Sequence, residues 1–329
     1  MGASSIAVIG STGYVGQLLT RALGEGAGHP KVLALDVRPP GPDGVPPGVT
    51  FEEMDVRSAR CGELIAEHGV DTVVHLAAVV NPPSGMTRNE QYAIDVDGTH
   101  NVLEACVEHG VRQLVVLSSA AAYGFHAGLP PLLDEAAPLR GNEEFPYARH
   151  KRLVEELLAK YRQQHPELRQ VVFRPATILG EATQNNVTAI FDRRVLFRLV
   201  DGEDRFGFIW DADVVACITK AIHEQREGIW NLAADGFLDL GEIGALTGAT
   251  VLHVSASTLA TVLRVGRWLG FTEHGPEQVP YLRHRPVLSN RRLKEEFGFS
   301  PTRTSREVFE GWWRAQCARR TIRSSSTNS

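Results

Sequence analysis

The stretch Ile6-Ala7-Val8-Ile9-Gly10-Ser11-Thr12-Gly13-Tyr14-Val15-Gly16 constrains the chain more than any other. An unbroken run of strand-forming residues stops at Gly10, and Val15, Leu18, Leu19, Ala22 and Leu23 then recur at helical spacing. The reading is strand, tight turn, helix. One glycine permits the reversal, one lets the backbone approach a diphosphate, and one lets the helix pack closely on the sheet. The unpaired N–H groups and the positive end of the helix then face the anion. Gly10, Thr12, Gly13, Tyr14, Val15 and Gly16 are therefore expected to hold a dinucleotide. Their G-x-x-G-x-x-G spacing departs from the G-x-G-x-x-G of many such sites.

Lys31-Val32-Leu33-Ala34-Leu35-Asp36 is a second apolar run ending in an acid. A carboxylate at that strand tip accepts hydrogen bonds from the adenosine ribose and repels a 2′-phosphate, which favours NAD. Arg38, two residues on, could pair with that phosphate instead, so NADP stays open. Val49 to Met54 reads as a third strand, and Asp55 and Val56 at its end would lie beside the adenine. Asp71 to Ala78 holds a fourth strand, in which His75 is expected to be a core histidine, while the small residues of Leu76-Ala77-Ala78 let backbone approach the cofactor. Asn89 to Gly110 reads as a long helical run, and Val111 to Ser119 as a fifth strand that ends in two hydroxyls.

Strand and helix alternate as far as Val171-Val172-Phe173-Arg174-Pro175. The expected fold is α/β, a doubly wound parallel sheet of Rossmann type with a smaller mixed C-terminal substrate subdomain. The expected bounds are 1–178 for the dinucleotide domain, 179–315 for the substrate subdomain, from which one strand near Ile229 returns to the sheet, and 316–329 for a disordered tail. At 329 residues the chain can bury one large core plus a small one. A formal net charge of -5 gives no electrostatic case for nucleic acid. No apolar run approaches the roughly 20 residues that span a bilayer, and no charged leader precedes the first strand. Cys61, Cys106, Cys217 and Cys317 lie far apart, with neither metal-ligand nor disulfide spacing. The expectation is a reduced, cytoplasmic setting with no metal.

Ser119, Tyr147 and Lys151 form a chemical set. Tyr147 and Lys151 are four apart and share a helical face. A phenol with a reference pKa of about 10 is a poor base at neutral pH, but a nearby ammonium and an oxidised nicotinamide both favour its ionised form. The lysine can also bind the nicotinamide ribose, and the serine hydroxyl can hold the substrate oxygen.

At this point the chain resembles the extended short-chain dehydrogenase/reductases, the NAD-dependent epimerase/dehydratase group. The resemblance runs through Gly10 to Gly16, Asp55-Val56, His75-Leu76-Ala77-Ala78, Gly98 to Leu103, Ser118 to Gly124, Tyr147 with Lys151, Arg174-Pro175, Phe208 to Val214 and Phe297 to Pro301. It implies a catalytic Ser-Tyr-Lys set in which Ser119 is the serine, with Tyr123 packing nearby. It also implies Tyr147, Lys151 and Pro175 beside the cofactor, and a homodimer joined through the helices of Asn89–His109 and Tyr147–Gln164. Dehydratases of the group place an Asp-Glu pair where this chain has Ala120-Ala121, and epimerases place an Asn where it has Ala176-Thr177. Asp95 stands where the family often has Asn.

Phe191, Phe197, Phe206, Phe208 and Trp210 suggest an apolar substrate pocket. The leading expectation is thus an NAD(P)-dependent enzyme interconverting a secondary alcohol and a ketone on an apolar or aromatic non-nucleotide small molecule. The alternatives are a nucleotide-sugar epimerase and a cofactor-sensing binding protein without turnover.

Overall fold

The computed structural model describes residues 3–25, 30–42, 44–185, 187–200, 202, 204–269, 275 and 279–326. In chain order the elements are β1 (Ser5–Ile9), α1 (Tyr14–Gly24), β2 (Lys31–Asp36), β3 (Val49–Glu53), α2 (Arg60–Glu67), β4 (Thr72–His75), α3 (Arg88–Tyr92), a π-helical turn (Ala93–Asp97) and α4 (Gly98–Glu108). Then come β5 (Gln113–Leu117), α5 (Pro146–Gln164), β6 (Arg169–Pro175), β7 (Thr177–Leu179), α6 (Thr188–Phe191), β8 (Val195–Leu199), β9 (Phe208–Trp210), α7 (Asp211–His223) and β10 (Gly228–Leu232). The last are α8 (Leu240–Thr247), β11 (Thr250–Val254), α9 (Ala256–Trp268), α10 (Val279–Arg283), α11 (Arg291–Glu295) and α12 (Ser305–Ser326).

The chain divides into two compact units. The first comprises Met1–Ala122, Phe145–Pro175 and Asp211–Trp230. Its sheet has the order β10-β6-β5-β4-β1-β2-β3, and β1 to β6 pair in parallel. Such strands are covered on both faces, which explains why β1 is buried along its whole length and reads as a continuous apolar run. The chain winds outward from β1 to β3, then returns to place β4 on the other side of β1. At that reversal the strand ends part, and open α/β sheets bind ligands in the crevice so made. The glycine turn follows β1 and Leu76-Ala77-Ala78 follows β4, so both lie at this reversal.

The second unit comprises Tyr123–Glu144, Ala176–Trp210 and Asn231–Ser329. It holds two short parallel pairs, β8 with β11 and β7 with β9. Phe191 is fully buried at its centre, with ring centroids 5.2 Å from Phe206, 5.3 Å from Phe309 and 6.1 Å from Trp312, each edge to face. Edge-to-face rings add to their area burial. Phe191→Ala is expected to lower stability by about 3–5 kcal/mol, read as a drop in the urea midpoint at unchanged slope.

Three expectations change. The bounds do not fall at 178: Tyr123–Glu144 groups with the later residues because Leu133 exchanges backbone bonds of 2.8 Å with Val287 and Ser289. The run from Asn89 to Gly110 is not one α-helix but α3, a π turn and α4. Residues 316–326, expected as tail, continue α12, which has no Gly or Pro beyond Gly311 to stop it; 327–329 lie outside the described residues. Among the described residues no helix is long and apolar enough to cross a membrane.

Candidate functional site

Every site residue named from the sequence lies in the first unit. Gly10 turns at φ +86°, and a Cβ there would sit 2.6 Å from the Ala77 nitrogen. At Gly16 a Cβ would come within 2.2 Å of the Gly10 carbonyl oxygen, so the glycine is what lets α1 start so close to the turn. Gly13 is the N-cap and brings no capping side chain, and the first turn of α1 has no acid. The first intrahelical bond is Gln17 N–H to Gly13 at 2.9 Å, which leaves the positive end of the helix for an anion. The hydroxyls of Ser11 and Thr12 are buried without a protein partner. Buried hydroxyls without partners are exceptional, and here they line a turn shaped for phosphate, so the residues fit a dinucleotide. Tyr14 opens α1 and donates its hydroxyl proton to Asp211 at 2.5 Å, tying the turn to α7, while Val15 follows it in the first turn.

Asp36 ends β2 almost fully buried. Its carboxylate accepts from Thr12 N–H at 3.0 Å and from Arg38 N–H at 3.1 Å, which aims it at the glycine turn. The Arg38 side chain extends into solvent, 3.8 Å from Asp36 at its nearest nitrogen. Asp55 forms a paired contact with Arg57 at 2.5 Å, and that bond holds its carboxyl below the usual range despite some desolvation. Val56 is buried against Gly98, and its carbonyl accepts from Asn101 at 2.7 Å. Leu76 N–H reaches back to Ile9 at 2.8 Å, and Ala77 is the residue Gly10 abuts, with Ala78 next. Pro175 ends β6 and is buried.

α5 begins with Pro146 in its first turn, where a missing N–H costs nothing and the fixed φ suits a helix. From that start Tyr147, half-buried, and Lys151, buried, fall one helical turn apart on the same face. Tyr147 is hydrogen-bonded to Ser119, and the Lys151 ammonium lies 5.8 Å from the Tyr147 ring centroid while donating to the Leu117 carbonyl at 2.9 Å. The structure therefore brings Ser119, Tyr147 and Lys151 together. Ser118, the other hydroxyl, donates to Glu155 at 2.5 Å, and Glu155 is gripped by Arg174 at 2.6 Å. The protonation balance differs from the expectation. Within the chain itself, burial pushes the Tyr147 phenol up, the Ser119 bond pulls it partly back, and the Asp95 charge pushes it further up. Burial likewise lowers Lys151, against the opposing pull of Asp95 and Glu155. Desolvation of the ionised phenol outweighs the nearby ammonium.

Beneath this set lies a polar chain that the sequence did not disclose. The π turn presents Asp95, whose Oδ1 accepts from Val79 N–H at 2.7 Å and whose Oδ2 meets His150 Nδ1 at 2.8 Å. Thr99 donates to the Asp95 carbonyl at 2.6 Å and so receives His75 Nε2 at 2.9 Å. That assigns the His75 proton to Nε2 and leaves Nδ1 buried without a partner. Burial, with Lys151 adding, pushes His75 down to about 3, so it is a neutral core histidine. His75, Asp95, Thr99, Leu117, His150 and Lys151 line a small cavity of about 10 Å³, room for one water molecule.

In the second unit Phe191, Phe206, Phe208 and Trp210 belong to the packed core, and only Phe197 is exposed among the aromatics expected to line a pocket. The same unit holds a residue that the sequence reading missed. Arg285 places its guanidinium 4.3 Å over the Phe206 ring, has no carboxylate within ion-pair reach among the described residues, and is pushed down to about 10 by burial. Nothing in Arg283-His284-Arg285-Pro286 marks which arginine stacks on a ring.

A parallel sheet wound in this order, a glycine turn at its reversal and a Tyr-Lys pair on one helix together define an extended short-chain dehydrogenase/reductase. The chain belongs to the NAD dependent epimerase/dehydratase family, whose model matches residues 6–233. It is 27% identical over 321 residues to a UDP-glucose 4-epimerase of Azospirillum brasilense, covering 90% of this chain and 87% of that one. In structure it is similar to the UDP-glucose 4-epimerase of Thermotoga maritima with UDP-glucose (TM-score 0.72, 18% identity, 97% of this chain and 99% of that one). It is also similar to a short-chain dehydrogenase/reductase superfamily protein from Agrobacterium tumefaciens with bound NAD (TM-score 0.72, 24% identity, 98% and 99%).

Proposed function

We propose that this chain is an NAD-dependent oxidoreductase that exchanges a hydride and a proton at a secondary carbinol, and that its substrate is a nucleotide sugar handled in the manner of an epimerase. The observation that carries the chemistry is the Ser119–Tyr147 hydrogen bond with the Lys151 ammonium beside the same ring. Asp36, Thr12 and the turn from Gly10 to Gly16 would hold the adenosine and diphosphate, with Lys151 on the nicotinamide ribose. When bound, the nicotinamide supplies the hydride acceptor. Tyr147 Oη would take the carbinol proton and return it, while Ser119 Oγ holds the substrate oxygen and stabilises charge developing there. Lys151 keeps a positive charge one helical turn from the phenol.

The apolar, non-nucleotide substrate loses most of its motive, because four of the five aromatic residues that suggested it, Phe191, Phe206, Phe208 and Trp210, pack into one core. A nucleotide sugar is the substrate class that the family match favours in its place. The Azospirillum epimerase supports the same class. With Ala120-Ala121 in place of an Asp-Glu pair, elimination lacks its acid and base.

The test incubates the protein and NAD with UDP-sugars and, separately, with plain alcohols and ketones. The expected result is an epimer visible by NMR with no steady-state rise in NADH absorbance. Steady NADH from simple alcohols would restore the non-nucleotide dehydrogenase. Tight NAD binding with no conversion of either set would leave a cofactor-sensing protein.

A further inference from the structure

We propose that Asp95 is a positioning residue whose buried carboxylate, fixed between Val79 and His150, biases Tyr147 toward giving a proton rather than taking one. The inference rests on the reading of Tyr147 as the proton-exchanging group. Its basis is geometric. Asp95 sits in a π turn, an insertion into helical winding that re-aims one side chain and recurs at functional sites. Both of its oxygens are occupied, Oδ1 by Val79 N–H at 2.7 Å and Oδ2 by His150 at 2.8 Å, and it is 6% exposed. An ionised carboxylate only accepts, so the proton of the second bond belongs to Nδ1. Val79 follows the Leu76-Ala77-Ala78 backbone, and His150 directly precedes Lys151. The carboxylate is thereby locked to the segment beside the glycine turn and to the helix of the Tyr-Lys pair.

The charged and titratable groups around it come from each element packed on the π turn. From α5 there are Tyr147, His150, Lys151 and, beyond Lys151, Glu155; from β4 there is the neutral His75. From α3 there is Tyr92, whose ring meets His150 edge to face at 5.6 Å and lies under Arg149. Asp97 on the turn itself and His100 on α4 are exposed. One buried negative charge in this set disfavours the ionised phenol and favours the ammonium, which is the direction in which Asp95 moves both. An asparagine in its place keeps both contacts, its oxygen accepting from Val79 N–H and its amide donating to His150 Nδ1 once the imidazole proton moves to Nε2, but carries no charge.

Asp95→Asn therefore separates charge from scaffold. The readout is the ultraviolet difference titration of the protein alone, in which the Tyr147 signal is isolated by subtracting a Tyr147→Phe control made in each background. The ionisation of Tyr147 is expected to move to lower pH in Asp95→Asn. Superimposable titrations would overturn the proposal and leave Asp95 a structural tie. Should Asp95→Asn fail to fold, Asp95→Ser is read in the same way, since its hydroxyl can accept from Val79 and it too lacks the charge. The titration needs no substrate or cofactor. Absence of turnover on UDP-sugars would thus sink the functional reading alone, and an unmoved Tyr147 would sink this one alone.

Discussion

Tyr147→Phe is expected to lower turnover on the identified substrate by about 10²–10⁴-fold, the range for removing a positioned acid/base group, while the thermal midpoint stays near that of the unaltered chain. The phenyl ring keeps its tilted contact with Phe145 at 6.2 Å and its place beside Lys151 at 5.8 Å. What leaves is one oxygen, and with it the hydrogen-bond partner of Ser119. The oxygen also has a protonation state that sets a pH window. Burial and the Asp95 charge both raise the phenol, so the ionised form that accepts a proton becomes available only toward alkaline pH in the resting chain. Oxidation should accordingly rise with pH and fall away on the acid side, while the proton-donating half-reaction tolerates lower pH. Stopped-flow turnover across a pH series checks both the size and the sign. Retention of ordinary rates in Tyr147→Phe would remove Tyr147 from the chemistry.

Much of the first unit was legible because its physics is local. The apolar run of β1, the helical period from Val15 to Leu23 and the acid ending β2 each report burial, spacing or a chain end that sequence states directly. Tyr147 and Lys151 are one helical turn apart, so a shared face follows from their numbers. What stayed hidden depends on contacts far apart in the chain. His150 and Asp95 meet across 55 positions, and only the π turn reveals why an aspartate there finds a partner. The aromatic residues of the second unit showed composition but not direction. A ring lining a pocket and a ring in a core have the same spelling, and Phe191 is surrounded by other rings rather than by open space. Arg285 was lost because its sequence neighbours are basic as well, and nothing local marks the one that stacks on a ring.

Arg174→Met is expected to lower stability by about 3–5 kcal/mol, more than most substitutions, because it strands a buried carboxylate rather than merely deleting a contact. Arg174 Nε lies 3.0 Å and 2.9 Å from the two oxygens of Glu155 and Nη2 lies 2.6 Å from one of them, with both side chains under 5% exposed. Ser118 adds one bond at 2.5 Å, too little to hold the charge alone. Removing both charges reverses the logic. In Arg174→Met/Glu155→Leu no ion is left to desolvate, and apolar replacements of buried pairs are often neutral or stabilising. The double variant should therefore recover most of the urea midpoint that the single variant loses. A single variant as stable as the unaltered chain, or a double variant no better than the single, would refute the account. The pair also bears on the site, because Glu155 lies one turn after Lys151 on α5 and supports its ammonium. The recovered double variant should thus fold but carry a Lys151 that loses its proton at lower pH, which a pH titration of nicotinamide-cofactor binding would register as a shift of the alkaline limb to lower pH.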